Sequence, residues 1–303
     1  MMPAMRMEQL IRIPFGSIQM LSSTPEQMEE IANEIAELAQ NGILNSQNRH
    51  RGNIGNLFNS SLFRECAEGV HRRTKESRQQ YSLSPDFELL CSASEVRRRI
   101  EQVLKTLKRT ERARPCDIFS ARFLKEFDWI EQHRKQAVSF ALARQKDFVE
   151  EPCNPMLLND LKQQDIADAI GLHLTTIGRL IKNITIEFTD SVVRDFAILV
   201  PGASLTFLKG CYSLGLLAKD QKFFDAKGGW KISDDDLVEV LKRDFGIEIA
   251  HRTVRKYRKW VDDHLLKPRR HDGNEENPTN LVLPPPSGRQ ILDAGGGDKE
   301  GRD

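Results

Sequence analysis

Twenty residues, Gln163–Lys182 (QQDIADAIGLHLTTIGRLIK), leave this chain few choices of local fold. Ile166 and Ile170 stand four apart on one side of a first helix, Gln163–Ile170. Small Ala167 beside them lets a second helix approach closely. Gly171 sits where the chain must turn with positive φ, a conformation only glycine adopts cheaply. Leu172 plugs the corner, and a second helix, Leu174–Ile181, buries Ile177 with Leu180 or Ile181. A small residue, a turn glycine and apolar residues at these offsets define a helix-turn-helix, whose second helix lies in the DNA major groove. Thr175, Thr176, Arg179 and Lys182 are then free to meet base edges and phosphates. His173 has no second His, Cys or carboxylate at ligand spacing, so it reads as a turn residue or phosphate donor rather than a metal ligand. The alternative is an ordinary antiparallel helix pair, which the same apolar spacing would also close.

A second segment, Ser233–Val261, repeats the logic. Ser233 caps a helix, and Asp234, Asp235 and Asp236 complement its N-terminus. Leu237, Val240 and Leu241 bury, and Gly246 terminates the helix after Phe245. A short extended piece, Ile247–Ile249, leads to a last helix with a core stripe of Val254, Tyr257 and Val261. His251, Arg252, Arg255, Lys256, Arg258 and Lys259 occupy the remainder. From Ala250 to Arg270 eight Lys/Arg face only Asp262 and Asp263. Such a helix suits major-groove entry, because Arg to guanine O6/N7 is the commonest specific contact. Its alternative is a solvated basic helix or an anionic-lipid surface, but the bulky apolar counter-face of a membrane binder is lacking.

The whole chain hides this polarity: 45 Lys+Arg against 44 Asp+Glu leave +1 over 303 residues. Charge placement, not net charge, decides nucleic-acid binding. Apolar residues at 39% and charged ones at 29% fit a mostly helical, water-soluble chain of two or three domains. No stretch approaches the roughly 18 uninterrupted apolar residues of a membrane span, and Met1–Met20 has no apolar signal core. Five cysteines, Cys66, Cys91, Cys116, Cys153 and Cys211, stand singly with no C-x-x-C pair, as free thiols of a reducing cytoplasm do. No cofactor or metal is expected.

Upstream the pattern is helical. Ser22, Ser23 or Thr24 caps a helix with Pro25 in its first turn and Met28, Ile31, Ile35 and Leu38 on one face, and Asn41-Gly42 stops it. Asn45–Asn59 reads as linker, and His71–Gln80 as a solvated basic face. Glu95–Arg112 is amphipathic through Val96, Ile100, Val103, Leu104 and Leu107. Pro115 separates it from a third helix, Phe119–Val149, with Phe123, Phe127, Ile130, Val138, Leu142 and Phe148. No sustained strand alternation appears before residue 184. From His271 onward, Pro284–Pro286 and Gly295–Gly297 predict disorder.

Ala250-His251-Arg252-Thr253-Val254-Arg255-Lys256-Tyr257-Arg258 resembles the RpoN box, A-R-R-T-V-A-K-Y-R, of the sigma-54 family of bacterial RNA polymerase sigma factors, at seven of nine positions. Asp165-Ile166-Ala167, His173, Thr176-Ile177 and Arg179 resemble the helix-turn-helix of the same family, in the same order along the chain. Trp129–Val149 is similar to the helix leading into it, Pro201–Ser213 is faintly similar to a later family segment, and Ile18–Leu44 to a worn N-terminal Gln/Leu-rich region. His251 departs from the family's first box arginine, Gly178 from a serine and Leu174 from a polar residue.

The resemblance implies an all-α, multi-domain helical chain with a helix-turn-helix domain and a C-terminal RpoN-box helix-turn-helix. The expected order is an activator-responsive region at 8–44, a linker at 45–80, and part of a core-polymerase-binding region at 81–155. A helix-turn-helix domain at 156–220, an RpoN-box domain at 221–270 and a disordered tail at 271–303 follow. It further implies that the box helix reads the GG of a minus-24 promoter element, with His251, Arg252, Thr253, Arg255, Lys256, Tyr257, Arg258 and Lys259 as DNA-binding residues. The helix-turn-helix, with His173, Thr175, Thr176, Arg179 and Lys182, would sit at a minus-12 GC element. Partners would be promoter DNA, core RNA polymerase and an ATP-hydrolysing AAA+ enhancer-binding activator, in the cytoplasm and off the membrane, with no catalysis by the chain itself. Because only part of the polymerase-binding region is found between Asn45 and Arg122, the alternative is a stand-alone DNA-binding regulator. A recombinase is disfavoured: His251 and Tyr257 lack the spacing of a tyrosine recombinase, and no acidic cluster suits two-metal chemistry.

Overall fold

A computed structural model describes residues 20–40, 61–110, 113–225 and 229–266. The expected Asn45–Asn59 linker and the tail from His271 lie outside them. The described residues divide into two units, one within 20–141 and 163–196, the other within 142–162 and 197–266.

In the first unit, α1 (Pro25–Gln40) starts as expected: Gln27 N–H donates to Thr24 Oγ1 and Thr24 N–H to Gln27 Oε1 at 2.8 Å, a reciprocal cap. Met28, Ile31 and Ile35 are buried. They face α2 (Ser61–Arg73) and α3 (Ala93–Thr110). Val96, Ile100, Leu104 and Leu107 line the buried side of α3. Between α2 and α3 run β1 (Gln79–Leu83) and β2 (Leu89–Leu90). The 45–80 segment, read as linker, thus contains helix α2 and the start of a strand.

Next comes α4 (Ala113–Arg144), with Pro115 inside its first turn, where a missing N–H costs nothing, rather than ahead of it. The expected single helix to Val149 breaks at Gln145, and α5 (Lys146–Glu150) follows. The first unit closes with α6 (Gln163–Ile170), α7 (Leu174–Leu180), β3 (Ile184–Glu187) and β4 (Val193–Asp195). The strands form one sheet in the order β2-β1-β3-β4, β1 and β3 parallel with Tyr81 opposite Ile186. This corrects the all-α expectation: the molecule is mostly helical with a small sheet.

The second unit holds α5, a 3-10 turn at Pro155–Leu157, α8 (Leu205–Leu217), α9 (Asp234–Phe245) and α10 (His251–Val261). Buried Gln145 explains the break after α4: its amide donates to the carbonyls of Asn159 (3.0 Å) and Leu199 (2.9 Å) and accepts from Asn159 N–H at 2.7 Å. Cys211, Leu214, Leu237, Leu241, Val254 and Val261 form the core. No described helix is long and apolar enough to cross a membrane.

Candidate nucleic-acid interface

The helix α9 begins as its sequence directs, with Ser233 Oγ accepting from Asp236 N–H at 3.1 Å, and ends at Gly246 with φ 65°. The left-handed cap turns the chain toward α10. On α10, Val254 and Val261 are fully buried and Tyr257 is half-buried. The Tyr257 ring lies on α8 over Gly210, where an added Cβ would stand 2.7 Å from a ring carbon. Phe207 meets it edge-on at 5.1 Å between centroids. Burial raises the Tyr257 hydroxyl above its ordinary range. Tyr257 thus packs one side of its ring against α8.

The cations of α10 separate into two sets. Arg252, Arg255, Lys256 and Lys259 are exposed and have no acidic partner among the described residues. At 3.6 residues per turn these four fall within an arc of about 100° on the side opposite the core stripe. Arg258 is different, being 27% exposed and ion-paired through Nη1 with Asp234 Oδ1. His251 Nε2 stands 3.8 Å from Asp234 Oδ2 and 3.7 Å from Asp235 Oδ1. Thr253 is half-buried beside the arc.

In the first unit, α6 buries Ile166 and Ala167, and Gly171 turns the chain with φ 76°, as expected. His173 caps α7: its Nδ1 accepts from Thr175 N–H at 3.3 Å and lies 2.9 Å from Thr175 Oγ1. His173, Leu174, Thr175, Arg179 and Lys182 are exposed. Thr176 is not: it is buried with Ile177 and Leu180. Its place on the packing side of α7 corrects the expectation that it faces outward. No group of three or more potential metal ligands occurs among the described residues.

Sequence reading passed over Arg134, Gly210 and the role of Asp234. Arg134 is 1% exposed, and nothing in its local spacing marks it as buried. A glycine within apolar Leu205–Leu217 was the available signal for a close ring contact. Asp234 was assigned to the helix terminus alone.

A left-handed glycine turns the chain between the two helices of each pair, and in one pair the second helix is cationic, an arrangement of the kind helix-turn-helix DNA readers use. Residues 125–264 match the family model described as Sigma-54, DNA binding domain. Over these residues the chain is similar to the sigma-54 (RpoN) family. It is similar to the RNA polymerase sigma-54 factor of Bacillus subtilis (strain 168), 27% identical over 141 residues, which is 44% of this chain and 32% of that protein. The match thus spans about a third of the length of that curated relative.

Proposed function

We propose that the chain is a sigma-54-like transcription initiation factor that binds promoter DNA through α10 and α7. The observation that carries this reading is the outward arc of Arg252, Arg255, Lys256 and Lys259, set on a helix whose other side is anchored in a core. Four unneutralised cations release counterions from phosphates, and a guanidinium at the first turn can fork onto guanine O6 and N7. Arg252 has that position and reads the GG element, while Arg255, Lys256 and Lys259 hold the backbone. Arg179 on α7 and Lys182 just past its end supply charge, and Thr175 and His173 stand at its N-terminal end. The family resemblance adds core RNA polymerase as the enzyme delivered and an ATP-hydrolysing AAA+ activator as the trigger.

The test is a gel-shift of the full chain on a duplex carrying GG and GC elements one helical turn apart, with and without core polymerase. A preference over scrambled duplex, and a further shift with polymerase, are expected. The second reading, a stand-alone DNA-binding regulator, is favoured by the family match lying in residues 125–264. It predicts the same DNA preference with no retention of core polymerase in a pull-down.

A further inference from the structure

We propose that Asp234 is a positioning residue for DNA reading: by bridging Arg258 and His251 it sets the rotation of α10, so that Arg252, Arg255, Lys256 and Lys259 point outward together. This rests on the reading of α10 as the DNA-contacting helix.

The two-sided contact carries the inference. Asp234 is the first residue of α9, only 12% exposed at its side chain, and sits between helices rather than in solvent. One carboxylate oxygen takes Arg258 and the other faces His251 at 3.8 Å, two α10 residues seven apart, two turns along one flank. A carboxylate paired with Arg258 on one turn and facing His251 two turns away resists rotation of α10 about its axis more than a single contact would. On the other flank, the Tyr257 ring is held between Gly210 and Phe207. The outward arc lies between these two restraints.

The same geometry divides the cations by role. Arg258 spends its charge on an internal carboxylate, so it supports the interface without touching DNA. Asp235, 86% exposed, adds a second carboxylate 3.7 Å from His251 Nε2. His251, where the family signature has arginine, thereby serves the brace more than the base edge. A rotation of α10 by even part of a residue step would swing the planar Arg252 fork off its guanine while leaving the phosphates reachable by the flexible, point-charge lysines.

The experiment compares wild type, Asp234→Asn and the charge exchange Asp234→Arg with Arg258→Asp, all as full chains. Affinity is measured on the GG/GC duplex and on scrambled duplex across a salt series. Asp234→Asn is expected to lower the preference for the GG/GC duplex about tenfold, with the salt slope unchanged because the phosphate contacts survive. The exchange is expected to restore most of that preference. Should Asp234→Asn not fold, Arg258→Lys reads the same contact, keeping the charge but not the planar guanidinium that meets Asp234. Unchanged preference in Asp234→Asn would overturn the proposal. So would equal tightening on both duplexes, which would make Asp234 only a repulsive charge. Wild-type protein that binds both duplexes equally would instead overturn the DNA-reading role of α10 itself.

Discussion

Arg134 Nε donates to the main-chain oxygen of Leu180 at 3.1 Å, so a buried guanidinium in α4 holds the last turn of α7. Its other donors reach Gln79 Oε1 at 3.1 Å, Glu131 Oε1 at 2.8 Å, and the carbonyls of Leu21 at 2.9 Å and Ser23 at 2.6 Å. The five contacts match the guanidinium's donor geometry and link α4, α7, β1 and the turn before α1. Removing one member of a buried pair leaves the other charge uncompensated, at a cost of roughly 3–5 kcal/mol. Arg134→Met is therefore expected to lower the unfolding free energy read from urea titration by that amount, and Arg134→Lys to recover little of it. An unfolding free energy within about 1 kcal/mol of wild type would show that the hub adds no stability.

Acid should loosen the same unit. His71 Nε2 lies 2.7 Å from Ser23 Oγ. Burial first, and the charge of Lys182 second, push its imidazole below the ordinary range. An unfolded histidine titrates near about 6.5. Just below that pH the unfolded chain therefore holds a proton that the native one refuses. The His71 contribution is complete above about pH 6.5, falls as pH drops toward the lowered native value, and levels off beneath it. Thermal unfolding at about pH 7.5 and about pH 5.5 checks this against His71→Gln, which should lose less stability over the interval. Parallel losses in both proteins would contradict it.

Two glycine-to-alanine changes are expected to have opposite signs. At Gly178 a Cβ would stand 3.2 Å from the Oε1 of exposed Gln163, which can swing aside. The helix then gains up to about 1 kcal/mol of propensity. At Gly210 the Cβ would meet the Tyr257 ring at 2.7 Å and 2.8 Å, and that ring is held by Phe207. Overpacking costs about 1–3 kcal/mol and outweighs the propensity gain. Denaturation of both variants should give a rise for Gly178→Ala and a fall for Gly210→Ala.

The same packing logic governed what could be read in advance. Caps at Thr24, Ser233 and Gly246, and the buried stripes of α1, α3, α4 and α9, follow from local spacing and were legible. The sheet was not. Gln79, Tyr81 and Leu83 of β1 alternate inward. Buried Gln79 conceals that period, because its amide serves Arg134 and Glu131 instead of a hydrophobic core. The partner strand β3 lies far along the chain, beyond any local pattern. Within the candidate interface, the outward cations of α10 were legible from helical period. The diversion of Arg258 to Asp234 was not, since it depends on how α9 and α10 meet. Thr176 was misplaced for a related reason: a small hydroxyl side chain packs at an i, i+4 position as readily as it faces water.

Side-chain roles on α10 should separate by sequence dependence. Arg252→Ala is expected to cost roughly 1–3 kcal/mol and to relax preference at one guanine. Equal loss on scrambled duplex would assign Arg252 to phosphate alone.

The most direct measurement is the salt dependence of binding for wild type and Lys259→Ala on GG/GC and scrambled duplexes. Lys259→Ala should weaken both alike and reduce the slope by about one, while wild type keeps its preference for GG/GC. An unchanged slope, together with no wild-type preference, would contradict placing the outward face of α10 on DNA.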